Sequence, residues 1–155
     1  MKTIIIKILK ALLKTLEESQ TKTPKKPNQR IIFYPRQTKD QLTKSFKAEE
    51  FYCKCGKCGI QRVDMVLVEK LQNLRDRLGS KVIINSGFRC HEHNRNVGGV
   101  LSSQHLNGCA ADIWCKNLKK ALKIAESLGF RGIGVYKDFL HLDNREGVVA
   151  RWQNK

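Results

Sequence analysis

Ser102-Ser103-Gln104-His105-Leu106-Asn107-Gly108-Cys109-Ala110-Ala111-Asp112, followed after a helix-like segment by Phe139-Leu140-His141-Leu142-Asp143, is the stretch on which the reading of this chain turns. His105 and Asp112 lie on either side of Gly108, where the chain can turn and bring both to one centre. Ala110 to Trp114 has the character of a short buried strand, small and apolar around one acidic residue, and a lone buried carboxylate is costly unless it is paired or binds a metal. Alternation in Phe139 to Asp143 puts His141 and Asp143 on one strand face and the apolar residues on the other. Two imidazoles and one carboxylate make an open set. Catalytic zinc takes three such side chains and leaves its fourth position to water, whereas structural zinc is closed by four ligands, mostly Cys. Against this stands the ordinary fate of four histidines in a chain of this size, which is exposed surface or satisfied core. No His-Glu-x-x-His pattern is present to decide the matter.

A set of separated motifs bears on the choice. Ser86-Gly87-Phe88-Arg89, His93-Asn94, Val97-Gly98-Gly99, Ser103-Gln104-His105-Leu106, Gly108, Ala110-Ala111-Asp112-Ile113 and Leu140-His141-Leu142-Asp143 together resemble the M15 family of zinc D-Ala-D-Ala carboxypeptidases and peptidoglycan endopeptidases. The resemblance runs from about Phe46 to Asn144. It implies a small single α+β domain of the Hedgehog/DD-peptidase kind, with helices packed on an antiparallel sheet that carries a zinc site. His105, Asp112 and His141 would be the metal ligands. An acidic residue three positions before the last histidine is common in the family; Asp138 stands there and would act as the base, with Asp143 kept as an alternative base or as the partner orienting an imidazole. Arg89 would bind the substrate carboxylate or steady the oxyanion, since its guanidinium offers a planar fork of donors; a surface ion pair is the plainer fate of an arginine. Ser103 and Gln104 would line the cleft. The His91-x-His93 pair has metal-binding spacing, but only His93 belongs to the family pattern.

The 155 residues, 41% of them hydrophobic, suffice for one modest core and not two. Net charge is +16; residues 1–47 carry 12 basic and 3 acidic side chains and the remainder 18 and 11. Such a surface favours anionic partners, whether nucleic acid, acidic lipid or the phosphate-bearing polymers of a bacterial wall. For a peptidoglycan hydrolase the wall is the economical choice. Nucleic acid is disfavoured, because the cysteine cluster lacks a second ligand pair at finger spacing. A monomer is expected.

Residues 1–18 are apolar at Ile5, Ile8, Leu9, Leu12, Leu13 and Leu16 with lysines between, the pattern of a basic amphipathic helix suited to an anionic membrane or to a protein partner. Lysines interrupt the run too often for a secretory signal or a membrane span. A phage-type lysin released by another protein fits that reading. Residues 19–44 are expected as a linker with a peripheral segment over Ile31 to Tyr34, and residues 45–155 as the peptidase domain. Within the domain, the spacing predicts a helix over Val63 to Leu78 ended by Gly79, a strand over Lys81 to Asn85, an Asn117-capped helix over Leu118 to Leu128, strands over Gly132 to Tyr136 and Phe139 to Asp143, and a polar tail anchored by Trp152.

Six cysteines remain. Cys53-Lys54-Cys55-Gly56-Lys57-Cys58-Gly59 sets three thiols in a tight turn, and Cys90 is a candidate fourth. A second, structural zinc ion, disulfides outside the cytosol, or free buried thiols all suit this spacing.

Overall fold

The computed structural model describes residues 30–153; the amphipathic segment over residues 1–18 lies outside them. Two antiparallel strands, β1 (Ile31–Pro35) and β2 (Ile60–Asp64), form a small sheet. Helix α1 (Met65–Leu78) follows directly, then β3 (Val82–Ser86), the short α2 (His91–Asn96), β4 (Ala110–Cys115), α3 (Leu118–Ser127), β5 (Gly132–Val135), β6 (Leu140–Asp143) and β7 (Ala150–Gln153). The main sheet has the order β3-β4-β6-β5-β7, antiparallel except where β7 runs parallel to β5. No helix among the described residues is long and apolar enough to cross a membrane.

Strand alternation divides the sheet into two chemically different faces. Ile84, Ala111, Ile113, Ile133, Leu140 and Leu142 join Leu67, Leu71 and Leu74 of α1 and Ala121 and Ala125 of α3 in one buried core. The opposite face carries Asp112, His141 and Asp143, which stand in register with Ser86, Gly134 and Gly132 on neighbouring strands. A register shift between Ile84 and Ser86 brings Ser86, not Asn85, opposite Asp112. Bulges of this kind re-aim side chains beside functional sites.

The structure refines the sequence expectation at three places. The peripheral segment expected over Ile31 to Tyr34 is β1, which pairs along its whole length with β2, and Arg30 bonds Asp64 at 3.1 Å. Val63 belongs to β2, not to the helix: Asp64 caps α1 by accepting from the Val66 amide at 3.0 Å, so the helix starts at Met65, two residues later than the apolar spacing indicates. The polar tail contains β7, which extends the sheet and carries Trp152. Asp64 is fully buried and serves the cap and Arg30 together. Asp64→Ala is therefore expected to lower unfolding free energy by at least about 1 to 2 kcal/mol, the usual worth of such a cap; urea unfolding checks this, and an unchanged midpoint would show that the cap contributes nothing.

Candidate metal centre and cleft

His105 comes from a single 3-10 turn, Gln104–Asn107, closed by Gly108 at φ +71°, a left-handed conformation that favours glycine. Asp112 lies in the middle of β4 and His141 directly opposite it on β6. The turn thus delivers one imidazole over a pair of adjacent strands that supply the other two groups. His105 Nε2 stands 3.2 Å from Asp112 Oδ1 and 3.2 Å from His141 Nδ1, and His141 Nδ1 lies 2.9 Å from Asp112 Oδ1. All three residues are buried.

Hydrogen bonds on the outer edges of the rings settle where the protons sit. His105 Nδ1 is 2.6 Å from the Gly87 carbonyl, which can only accept, so Nδ1 carries hydrogen and Nε2 presents a lone pair. His141 Nε2 donates at 3.0 Å to the Asp143 carboxylate, leaving its Nδ1 lone pair inward. With both imidazoles neutral, three lone-pair atoms then face one another with no proton between them. A cation relieves that repulsion, and the spacing suits one: ligands at about 2.0–2.1 Å on a tetrahedral ion are about 3.3 Å apart, close to the separations here. The chemistry of the donor set, two imidazoles and a carboxylate, is that of an open zinc site.

Without a cation the same centre attracts a proton instead: burial opposes charge on both groups, but a proton shared inward lets His105 and His141 hold the Asp112 carboxyl well below the usual carboxylate range, while Asp112 and Asp143 raise His141. Burial likewise opposes ionisation of Asp143, and His141 and Arg145 overcome it. Arg145 grips Asp143 through Nε and Nη2 together, with Nε 2.9 Å from Oδ1. The Asp143 carboxylate thus bonds His141 on one side and Arg145 on the other.

Two glycines make room for this layer. A Cβ on Gly132 would lie 2.0 Å from Asp143 Oδ2, and one on Gly134 would meet the Trp152 ring at 2.4 Å. Trp152 needs that space to lie against His141, with ring centroids 5.1 Å apart.

Arg89 follows β3 and is held by Ser86 Oγ, which accepts from its Nε at 2.9 Å, and by Asp112 Oδ2, which accepts from Nη2. Asp112 therefore divides its two oxygens between the histidines and Arg89. Arg89, Ser103, Gln104, His105, Asp112 and His141 all line one cleft of about 480 Å³. Asp138 is exposed in the turn between β5 and β6, flanked by Tyr136 and Phe139, which line the cleft and stack at 4.2 Å. His91 and His93 stay on α2 and join no metal-binding group among the described residues. The cleft also takes in Tyr136, Phe139 and Arg145, which the sequence does not single out, and Trp152, expected only as an anchor for the tail. Arg145 was legible in principle, as a base just beyond the His141-Leu142-Asp143 strand. Trp152 was not, because it reaches the cleft only through the pairing of β7 with β5.

Comparison with known proteins places this site in context. A family model described as Peptidase M15 matches residues 44–143. A zinc D-Ala-D-Ala carboxypeptidase from Streptomyces albus G is 46% identical over 50 residues, which are 32% of this chain and 20% of that protein. The aligned stretch thus spans about a fifth of that relative's length. The family match takes in β3, the His105 turn and β4 through β6, the elements that carry every group of the three-residue centre, and on that match the chain belongs to the Peptidase M15 family.

Proposed function

We propose that this protein is a zinc peptidase hydrolysing peptide bonds in the stem peptides of peptidoglycan, as a D-Ala-D-Ala carboxypeptidase or an endopeptidase of the endolysin type. The observation that carries the reading is the convergence of His105 Nε2, His141 Nδ1 and Asp112 Oδ1, with both imidazole protons held outward, on the wall of a cleft. These three side chains would hold the ion. When bound, zinc acts as a Lewis acid that polarises a scissile carbonyl and acidifies water.

The remaining steps fall to the chain's own groups. Arg89, fixed by Ser86 and Asp112, presents its guanidinium to the cleft, where it receives the substrate's carboxylate or the oxygen that gains charge during attack. Asp143 positions His141 and keeps its Nδ1 lone pair inward; this occupation removes it from proton transfer. The family resemblance assigns to Asp138, exposed in the β5–β6 turn beside the cleft residues Tyr136 and Phe139, the role of taking the water's proton and handing it to the leaving amine. Ser103 and Gln104 contact the stem peptide along one wall, while Tyr136, Phe139 and Trp152 form an aromatic wall that limits water. The basic surface favours approach to anionic wall polymer, and the substrate is met by a monomer.

A digest of purified muropeptides with zinc-loaded protein, read by mass spectrometry, tests this. Loss of a terminal D-Ala identifies the carboxypeptidase and an internal cut the endopeptidase. Stem peptides left intact across both classes would remove the hydrolase and leave a wall-binding module on a peptidase fold.

A further inference from the structure

The three-residue centre does not use the cysteines. Cys53, Cys55 and Cys58 lie in the turn between the 3-10 turn Ala48–Phe51 and β2, and Cys90 caps the N-terminus of α2, far away in sequence. The fold nevertheless brings all four sulfurs within 4.8 Å of one another. Cys55 Sγ is 3.3 Å from Cys58 Sγ, 3.4 Å from Cys53 Sγ and 3.9 Å from Cys90 Sγ. A disulfide requires about 2.05 Å, and none of the six cysteines is in one. Tetrahedral zinc with four sulfurs at about 2.3 Å has sulfur–sulfur edges of about 3.8 Å, and the cluster is of that size. We infer that Cys53, Cys55, Cys58 and Cys90 form a closed four-thiolate zinc site, separate from the peptidase centre.

Backbone amides point at the sulfurs: Lys57 N to Cys55 Sγ at 3.3 Å, Cys90 N to Cys53 Sγ at 3.4 Å and His93 N to Cys90 Sγ at 3.4 Å. Such donors spread the negative charge that four thiolates around one divalent ion retain, and they fix the directions of the ligands. The buried side chain of Gln61 clasps the turn at both ends, accepting from Cys53 N at 2.7 Å and donating to the Cys58 carbonyl at 2.7 Å. The loop is therefore shaped by contacts other than the ion. Cys109 and Cys115 lie outside the cluster, Cys115 in the sheet core, so the grouping of four is selective.

Four soft ligands close the coordination sphere and leave no place for substrate, which makes the site structural. Its location gives it a task. Cys90 follows Arg89 directly, and the Phe88 amide donates to the Phe51 carbonyl at 2.8 Å. The ion would bolt the Cys53–Cys58 turn to the loop that sets Arg89 against Asp112. Arg89 placement would then depend on a metal that takes no part in the chemistry.

The test uses the full chain purified with reductant from zinc-supplemented culture. Metal analysis should give two zinc ions per chain for the wild type, one for Cys55→Ser/Cys58→Ser, and one for His105→Ala. Replacement by cobalt adds an independent readout, since sulfur-to-cobalt charge-transfer absorption should appear in the wild type and in His105→Ala and vanish in the double cysteine variant. The His105→Ala arm keeps this sulfur signature whether or not the peptidase proposal survives. Should the double variant fail to fold, the wild type and His105→Ala still decide. One zinc per chain in the wild type without sulfur–cobalt absorption overturns the site, as does a parallel preparation made without reductant in which peptide mapping finds a disulfide between any two of Cys53, Cys55, Cys58 and Cys90.

Discussion

Asp112→Asn is expected to reduce stem-peptide hydrolysis by about a thousandfold or more, because a metal centre of this kind supplies several kcal/mol of transition-state stabilisation and about 1.4 kcal/mol is worth a decade in rate. The substitution keeps the volume of the side chain and changes only what its two terminal atoms offer. In the native site both are acceptors, Oδ1 toward His105 and His141 and Oδ2 toward Arg89. An amide cannot satisfy both sides. With its oxygen toward the imidazoles, its NH2 meets the donor face of Arg89. Turned the other way, the NH2 donates to an imidazole lone pair and occupies the space of the ion with an internal hydrogen bond. Either orientation lowers metal affinity, and the second leaves the buried groups satisfied without metal, so the fold should persist. Circular dichroism like that of the wild type, loss of the ion held by His105 and His141, and loss of hydrolysis are the three expected results. An Asp112→Asn protein that binds zinc and cleaves at the wild-type rate would remove this carboxylate from the centre, and the zinc peptidase proposal with it.

How much of this was legible in the sequence depends on the range over which each feature is determined. The two-residue alternation in Leu140-His141-Leu142-Asp143 is local, and it does assign apolar residues to the core and polar ones to the site face. The caps are local as well: Asn117 accepts from the Lys120 amide at 2.9 Å, and Gly79 ends α1 at φ +70°. The start of α1 was misplaced because Val63 continues the helical spacing while sitting in β2, and only the cap made by Asp64 marks the junction. Non-local features were out of reach. The bulge that brings Ser86 to Asp112, the parallel docking of β7 that swings Trp152 over His141, and the pairing of β1 that draws residues before 45 into the fold each depend on a partner strand distant in sequence. The cysteine cluster stood between these cases: three members were evident from spacing, while the state of the four needed the sulfur separations.

Asp143→Asn and Asp138→Asn should fail in different ways, and the contrast assigns the proton-transfer group. Asp143 is fully buried, accepts from His141 Nε2 at 3.0 Å and is gripped by Arg145, whose guanidinium also lies 5.4 Å over the Trp152 ring. An asparagine can still accept from Nε2, but a neutral acceptor makes His141 a poorer ligand and leaves Arg145 without its charged partner. Zinc affinity should fall roughly 10 to 100-fold, as for other carboxylates behind a ligating histidine, and activity should return when zinc is supplied in excess. Asp138 touches neither histidine, being exposed in the turn beside Tyr136 and Phe139. Its replacement should leave zinc affinity unchanged while turnover falls about 10²–10⁴-fold, the range for a lost general acid–base, with no rescue by added zinc. Titration of metal against a chelator, run beside turnover at saturating zinc, separates the two quantities. If Asp138→Asn keeps its turnover while Asp143→Asn stays inactive at saturating zinc, proton transfer belongs to Asp143 instead, and its hydrogen bond to His141 must then break or be shared during the reaction.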